Sequence, residues 1–360
     1  MKSIKYLLLL VVILFATTIA FSQGCEDPGE GDGINIFGYI QPQYDYNILG
    51  KNGTFTKDVD ESGFSFKRAR LGVLGNIPYD FTYYFMMEFA PERGMGINDA
   101  FVTYNRFKEA KLSAGLFKAP FAAEQIQGCH KLYTINRSKV VNELAGPIRD
   151  TGLMLSGAID SIGGVGNKNL ISYNLALFNG EGRNVPDMDN RKSFVARLAV
   201  SPIEFLTVGG NYKFGKTPSE TIGLDDNTTE RIGFDATVNY KGFTVMGEYI
   251  MGSDEGSYTT GGGCSGEPVE THIGSLDRSG YYVTALYKTP WNLEPVFKYE
   301  SYDGNVDLDG DMRSAMTFGI NYFFNEWTRL QVNYEYNFEE NFAAEIPNDA
   351  IMIQLQAIIK

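Results

Sequence analysis

Residues 81–89 read FTYYFMMEF, and this stretch decides the fold class. Its odd-numbered positions form one apolar row of side chains: Phe81, Tyr83, Phe85, Met87 and Phe89. The even-numbered positions form a more polar row: Thr82, Tyr84, Met86 and Glu88. Successive side chains of a strand point to opposite faces, and a membrane barrel turns its apolar face to lipid and its polar face to the lumen. The stretch therefore predicts one strand of an all-β transmembrane barrel.

The same alternation recurs along the chain, for example over residues 171–177 and 330–336. About sixteen strands are predicted, centred near residues 39, 70, 85, 102, 114, 155, 173, 196, 210, 235, 246, 284, 297, 318, 331 and 355. Short connections, such as Lys241-Gly242, alternate with mostly longer ones, and residues 252–278 are interpreted as a long loop. This pattern is typical of an antiparallel barrel with short periplasmic turns and long external loops.

Aromatic residues support a membrane location. The chain contains 25 Phe, 22 Tyr and 2 Trp, and both tryptophans, Trp291 and Trp327, fall at predicted short turns. Because amphipathic rings favour the boundary between lipid and water, we expect these residues to form the periplasmic aromatic girdle.

The amino-terminal region has the pattern of an export signal. Lys2 and Lys5 precede an apolar run, and Ala20-Phe21-Ser22 stands before Gln23. We therefore predict a signal peptide over residues 1–22, a short leader over 23–33 and the barrel over 34–360. A lipid anchor on Cys25 is the alternative interpretation. Export and a barrel together predict the outer membrane of a Gram-negative bacterium, with its lipid as a partner.

Composition argues against several other functions. The formal net charge of −13 argues against nucleic acid as a partner. The two histidines, His130 and His272, lack the spacing of a catalytic triad or a metal site, so no enzymatic activity and no cofactor are expected. Asp307, Asp309 and Asp311 have the alternating spacing of a Ca²⁺-binding loop. The distal glutamate of such a loop is missing, so a solvated loop is favoured there.

The three cysteines make no disulfide framework. Cys129 and Cys264 lie in two predicted loops and could pair with each other, and the alternative is that both are free thiols.

The connection over residues 119–149 is far longer than an ordinary hairpin loop. It is net basic in an acidic protein, because it carries more basic than acidic residues: Lys131, Arg137, Lys139 and Arg149 against Glu124 and Glu143. We predict that this connection folds inward and constricts a pore.

The odd or even position of a charged residue within its strand also predicts which face of the barrel wall it occupies. Nine basic residues are predicted to face the lumen: Arg68, Arg70, Lys111, Arg197, Lys213, Lys288, Lys298, Arg313 and Arg329. Seven acidic residues share that face: Glu88, Asp99, Asp235, Glu248, Glu294, Glu300 and Glu335. Several basic groups in succession could guide anions through the lumen, and the alternative for any one of them is a structural ion pair with a wall acid.

A series of short motifs runs along the chain. In order they include Phe66-Lys67-Arg68-Ala69-Arg70-Leu71-Gly72, Asp99-Ala100-Phe101-Val102, Gly115-Leu116-Phe117-Lys118-Ala119-Pro120-Phe121, Arg137-Ser138, Arg149-Asp150-Thr151-Gly152 and Glu294-Pro295-Val296-Phe297-Lys298-Tyr299-Glu300. Together these motifs resemble the phosphate-selective porin O and P family. The resemblance implies a sixteen-stranded outer-membrane barrel, usually a homotrimer, with an inward loop and a track of basic residues. It implies that Arg68 and Arg70 are paired wall arginines, and that Lys118, Arg137 and Arg149 frame the constriction.

The sequence thus predicts a porin for passive diffusion of small anions such as phosphate. The predicted anion path comprises Arg68, Arg70, Lys118, Lys131, Arg137, Lys139, Arg149 and Arg197. Two alternatives remain open: a general or weakly cation-tolerant porin of the same fold, and a non-conducting receptor or adhesin that uses the acidic external loops.

Overall fold

The computed structural model describes residues 33–48, 61–91, 94–162, 165–217, 226–260, 270–340 and 348–360. The predicted signal peptide, the leader up to residue 32, Cys25 and Cys264 lie outside these residues. Cys129 is a buried free thiol. Within the described ranges, none of the helices has both the length and the apolar character needed to cross a membrane.

Sixteen strands form the wall of a closed barrel. They are β1 Gly33–Ile48, β2 Glu61–Ile77, β3 Phe81–Glu88, β4 Gly96–Phe107, β5 Ala110–Lys118, β6 Arg149–Ile162, β7 Val165–Phe178, β8 Ser193–Ile203, β9 Leu206–Thr217, β10 Asn227–Tyr240, β11 Phe243–Thr260, β12 Glu270–Tyr287, β13 Leu293–Asp303, β14 Arg313–Phe323, β15 Thr328–Glu339 and β16 Asp349–Ile359. Each strand pairs with the next, and β1 closes the barrel on β16. Every predicted strand centre lies inside one of these strands, so the predicted fold class and strand count are confirmed.

The period-two pattern assigns the two faces of the wall. On β3, Phe81 and Phe85 are exposed on the outer surface, whereas Tyr84, Met86 and Glu88 are buried on the inner one. A closed sheet leaves no strand edge without a hydrogen-bonded neighbour, which is the condition for crossing lipid with strands.

The connections alternate in length as predicted. Only residues 241–242 join β10 to β11, whereas residues 179–192 join β7 to β8. Trp291 and Trp327 both lie in short connections, where their side chains are exposed.

One loop prediction is wrong. Residues 252–278 are mostly strand, because β11 and β12 continue to pair from Gly252 with Arg278 as far as Thr260 with Glu270. The glycine-rich composition of this region hides the alternation of side chains, but backbone hydrogen bonds between two strands do not require an apolar face.

The connection over residues 119–148, called the inner loop below, lies inside the barrel. It contains helix α1, Ala123–Ile126, a 3-10 turn, Cys129–Lys131, and helix α2, Lys139–Leu144. One apolar cluster joins α2 to inward side chains of the wall: Val140, Val141 and Leu144 with Met246, Ile250, Tyr282 and Tyr302. A second cluster joins the 3-10 turn to β1 and β3: Cys129 and Leu132 with Phe37, Tyr39, Tyr84 and Met86. The inner face is thus part polar wall and part packed core.

Gly280 on β12 allows α2 to approach the wall. A Cβ atom at this position would lie 2.6 Å from the Ser301 carbonyl oxygen and 2.9 Å from Val140 Cγ2. We therefore expect Gly280→Leu to displace α2 and to destabilise the barrel by about 1–3 kcal/mol, as overpacking usually does. Heat-modifiable migration on gels measures the loss as a lower unfolding temperature.

Gly210→Leu is the matched control for this prediction. Nothing lies within 4 Å of a Cβ atom at position 210 of β9, so the added side chain begins in open space. Equal destabilisation by the two substitutions would contradict the packing of α2 on Gly280.

Candidate functional site

Strands β14, β15 and β16 hold the middle of the inner loop through neutral side chains. Asn321 Nδ2 donates to the Tyr133 carbonyl oxygen at 2.9 Å, and Asn333 Oδ1 accepts from the Ile135 backbone N–H at 2.8 Å. Gln331 and Gln356 also donate to loop carbonyl groups. An amide side chain offers both donors and acceptors, so it can satisfy a backbone that has no strand neighbour. The predicted inward position of the loop follows from these contacts.

Charged wall residues hold the helices of the inner loop. Glu248 on β11 accepts from the Ala123 N–H at 3.0 Å, and Glu300 on β13 accepts from the Lys139 N–H at 3.3 Å. The first N–H groups of a helix lack partners within it, so these carboxylates complete the starts of α1 and α2. Lys298 Nζ donates to the Asn136 carbonyl oxygen at 3.3 Å, and Lys213 Nζ donates to the Gly146 carbonyl oxygen.

Inside the loop, a buried carboxylate ties α1 to the start of α2. Glu124 Oε2 accepts from both the N–H and the hydroxyl of Ser138, each at 2.8 Å. Burial raises the pKa of Glu124, although these two donors and the charges of Lys298 and Arg137 act in the opposite direction.

Four of the predicted site residues carry charges that act on the Cys129 side chain, and we call them the cation cluster: Arg68, Arg70, Lys118 and Arg137. Two of them come from the wall. Arg68 Nη1 donates to Gln41 Oε1 at 3.0 Å, and Arg70 Nε donates to Glu88 Oε2 at 2.7 Å. Both side chains are buried, so their charges act in a region shielded from bulk water.

The other two members of the cluster bind the backbone of the inner loop. Lys118 Nζ, at the end of β5, donates to the Ile126 and Gln127 carbonyl oxygens at 3.1 and 3.2 Å. Arg137 donates to the Glu124 and Gln127 carbonyl oxygens, both at 3.2 Å. Carbonyl groups orient these cations without cancelling their charge, so the loop is held and the positive field is kept.

Arg149 and Arg197, which were predicted to lie on the same path, are each paired with an acid of the wall. Arg149 Nε and Nη2 lie 3.0 and 3.1 Å from the two oxygens of Asp99. Arg197 Nη1 and Nη2 lie 2.6 and 2.9 Å from those of Asp235. Such two-point pairs fix geometry and cancel charge. Lys298 likewise pairs with Glu300 at 3.1 Å.

The last two predicted residues, Lys131 and Lys139, do not join the cluster. Lys131 is exposed, and the half-buried Lys139 donates through Nζ to Asn337 Oδ1. Burial lowers the pKa of Lys139, while the charges of Glu300 and Glu335 act in the opposite direction.

Sequence reasoning missed the amide row that holds the loop. The only sign of this row in the sequence was that several inward-facing positions of the last two strands are Asn or Gln: Gln331, Asn333, Gln354 and Gln356.

The acids of the row at residues 307–311 do not bring their carboxylate oxygens within 4.8 Å of one another. Asp307 and Asp309 are exposed, and Asp311 lies beside Asp303, so burial and that second carboxyl raise the pKa of Asp311. Among the described residues, the acids whose oxygens do lie within 4.8 Å of one another are elsewhere. They are Glu181, Asp187 and Asp189, in the connection between β7 and β8.

The comparisons with known proteins agree with this architecture. The family described as "Phosphate-selective porin O and P" matches residues 38–356. No curated protein sequence gives a significant match.

Solved structures with similar folds include the anion-selective porin from Comamonas acidovorans, at 13% identity and a TM-score of 0.65, over 91% of this chain and 99% of that one. Salmonella typhi OmpF in complex with daunomycin, at 13% identity, has a TM-score of 0.68 over 91% and 98% of the two chains. The trimer form of Vibrio cholerae OmpT, at 12% identity, has a TM-score of 0.63 over 91% and 100%. The chain therefore belongs to the phosphate-selective porin O and P family, and its closed barrel is that of an outer-membrane porin.

Proposed function

We propose that this porin is a passive channel for small anions, with phosphate as the candidate solute. The observation that carries the proposal is the cation cluster, which gathers four basic side chains where the inner loop meets the wall. Two further observations support an anion channel: one of the similar structures is an anion-selective porin, and the family description names phosphate.

The cluster is suited to act through its electric field. Its members are buried, so they attract an ion electrostatically without contacting it, and the ion stays mobile. A unit charge at 4 Å is worth about 1 kcal/mol in bulk water and about 4 kcal/mol at an effective dielectric constant near 20. Conduction needs attraction of this moderate size, because a solute that binds tightly does not leave. The inner loop would form the constriction at which this attraction is felt.

A general or weakly cation-tolerant porin is the second candidate, and a specific observation favours it. Four of the predicted basic wall and loop residues have a carboxylate partner within 3.1 Å: Arg70, Arg149, Arg197 and Lys298. One of them, Arg70, is itself a member of the cation cluster, so these pairs reduce the positive charge of the cluster as well as that of the wall.

Export, membrane insertion and assembly of the protein are proposed as follows. We propose cleavage after Ser22, insertion with the outer apolar row of side chains against outer-membrane lipid, and a homotrimer. The trimer form of Vibrio cholerae OmpT supports the last point, since its fold is similar.

Ion selectivity is the direct test of the proposal. We expect the mature protein in a planar bilayer to give a reversal potential in a KCl gradient that favours chloride. Added phosphate should reduce the chloride current, because the two anions share one path. A potential that favours potassium would contradict the anion channel and leave a cation-tolerant porin, and a complete lack of conductance would favour a surface receptor.

The structure predicts different outcomes for two arginines of the predicted path. Arg137→Gln should weaken the preference for chloride, because it removes one charge of the cluster, whereas Arg137→Lys should retain most of it. Arg149→Gln should instead destabilise the barrel by about 3–5 kcal/mol, since it leaves the buried Asp99 carboxylate without its main partner. Reversal potentials measure the change in ion preference. The temperature at which heating alters gel migration measures the change in stability.

Lys108→Gln is the matched control for Arg149→Gln. Lys108 also pairs with an acid, Asp160, but both side chains are about half exposed, so the loss should stay below about 1 kcal/mol. If Arg149→Gln left stability unchanged and altered selectivity as strongly as Arg137→Gln, the structural role of Arg149 would be wrong.

A further inference from the structure

The Cys129 thiol is placed at the centre of the cation cluster by hydrogen bonds. Arg70 Nη1 and Arg137 Nη2 donate to Cys129 Sγ at 3.3 and 3.4 Å. One arginine comes from β2 and the other from the inner loop, so the sulfur joins loop to wall. Both donors carry a full positive charge, and charge-assisted hydrogen bonds favour an ionised acceptor.

The surroundings of the thiol are dominated by cations. Burial alone would raise the pKa of Cys129, but the charges of Arg137, Arg68, Arg70 and Lys118 together outweigh it and lower that pKa well below its usual value. Other titratable or charged groups packed nearby include Glu88, bound to Arg70, Arg329, which donates to the His130 carbonyl oxygen, and the rings of His130, Tyr39 and Tyr84.

We infer that Cys129 is ionised in the folded porin and acts as a counter-charge of the cation cluster, so that it moderates the preference of the lumen for anions. This inference rests on the proposed anion channel for its effect on selectivity, but the ionisation itself does not. An ionised Cys129 subtracts one unit from the positive charge that a passing ion feels. It also bridges Arg70 and Arg137, whose guanidinium groups would otherwise repel each other across the join between wall and loop.

The sign of the pH effect follows from this arrangement. Protonation of Cys129 as the pH falls through its pKa would restore one positive charge to the cluster. The anion preference of the wild-type channel should therefore increase at low pH by an amount that is missing from a variant without the thiol. Acids such as Glu88 and Glu124 also respond to pH, and the difference between wild type and variant removes their contribution.

The first measurement is a titration of the thiolate by its ultraviolet absorbance in folded, detergent-solubilised full-length protein. The chain carries Cys25→Ser and Cys264→Ser so that Cys129 is the thiol that is observed, and a variant that also carries Cys129→Ser supplies the baseline. We expect a midpoint below about 7.5, within the range for cysteines beside arginine or lysine. A midpoint at or above about 8.5, the value of an unperturbed cysteine, would overturn the inference.

The second measurement compares reversal potentials at neutral pH. Cys129→Ser should shift the potential further toward chloride, because it removes a negative charge, whereas Cys129→Asp should remain close to wild type. Cys264→Ser is the control for the loss of a cysteine elsewhere. Heat-modifiable migration verifies that each variant folds, and if Cys129→Ser does not fold, Cys129→Ala replaces it both in the potential measurement and as the baseline of the titration.

The two measurements separate the inference from the proposed function. A low titration midpoint in a channel that favours potassium would support ionisation of Cys129 and contradict the anion channel. A chloride-selective channel with an ordinary midpoint, or with equal potentials for Cys129→Ser and Cys129→Asp, would contradict the inference and leave the anion channel standing.

Discussion

The constraint on which this structure depends is that a long connection without strand neighbours must satisfy its backbone inside a closed barrel. The strands pair their N–H and C=O groups with one another, so partners for the backbone of the inner loop come mainly from its own helices and from side chains of the inner wall. Amides on β14 to β16 bind the middle of the loop, and the carboxylates of Glu248 and Glu300 bind the starts of its two helices.

This constraint engages basic side chains of the inner wall as well as neutral ones. A basic residue of the wall can pair with an acid, bind a loop carbonyl group, or present its charge to the lumen. Arg149 and Arg197 take the first role, and Arg329 takes the second by donating to His130 and Leu132. Within the cation cluster, Arg70 takes the first role with Glu88, and Lys118 and Arg137 take the second. The third role is the one that the proposed anion channel assigns to the cluster.

Apolar packing completes the attachment of the loop. Burial of a leucine or valine side chain is worth about 1.5–3 kcal/mol, so the side chains of α2 against Ile250 and Tyr282 contribute as much as several hydrogen bonds. The loop is therefore attached to the wall by apolar packing as well as by hydrogen bonds. The barrel therefore has an inner wall whose apolar residues serve the loop, although a polar lumen is the general expectation for porins.

The sequence by itself determined the number of strands, their centres and two faces, and the long basic connection between β5 and β6. Alternation of side chains is a local property with a period of two residues, so FTYYFMMEF shows which side chains point inward without knowledge of any neighbour. Only the tertiary structure decided what each inward group contacts. Arg149 meets Asp99 fifty positions away, and Arg329 meets the His130 carbonyl group from 199 positions away. Such partners are brought together by closure of the barrel and by the path of the loop across it, and neither is encoded in local spacing.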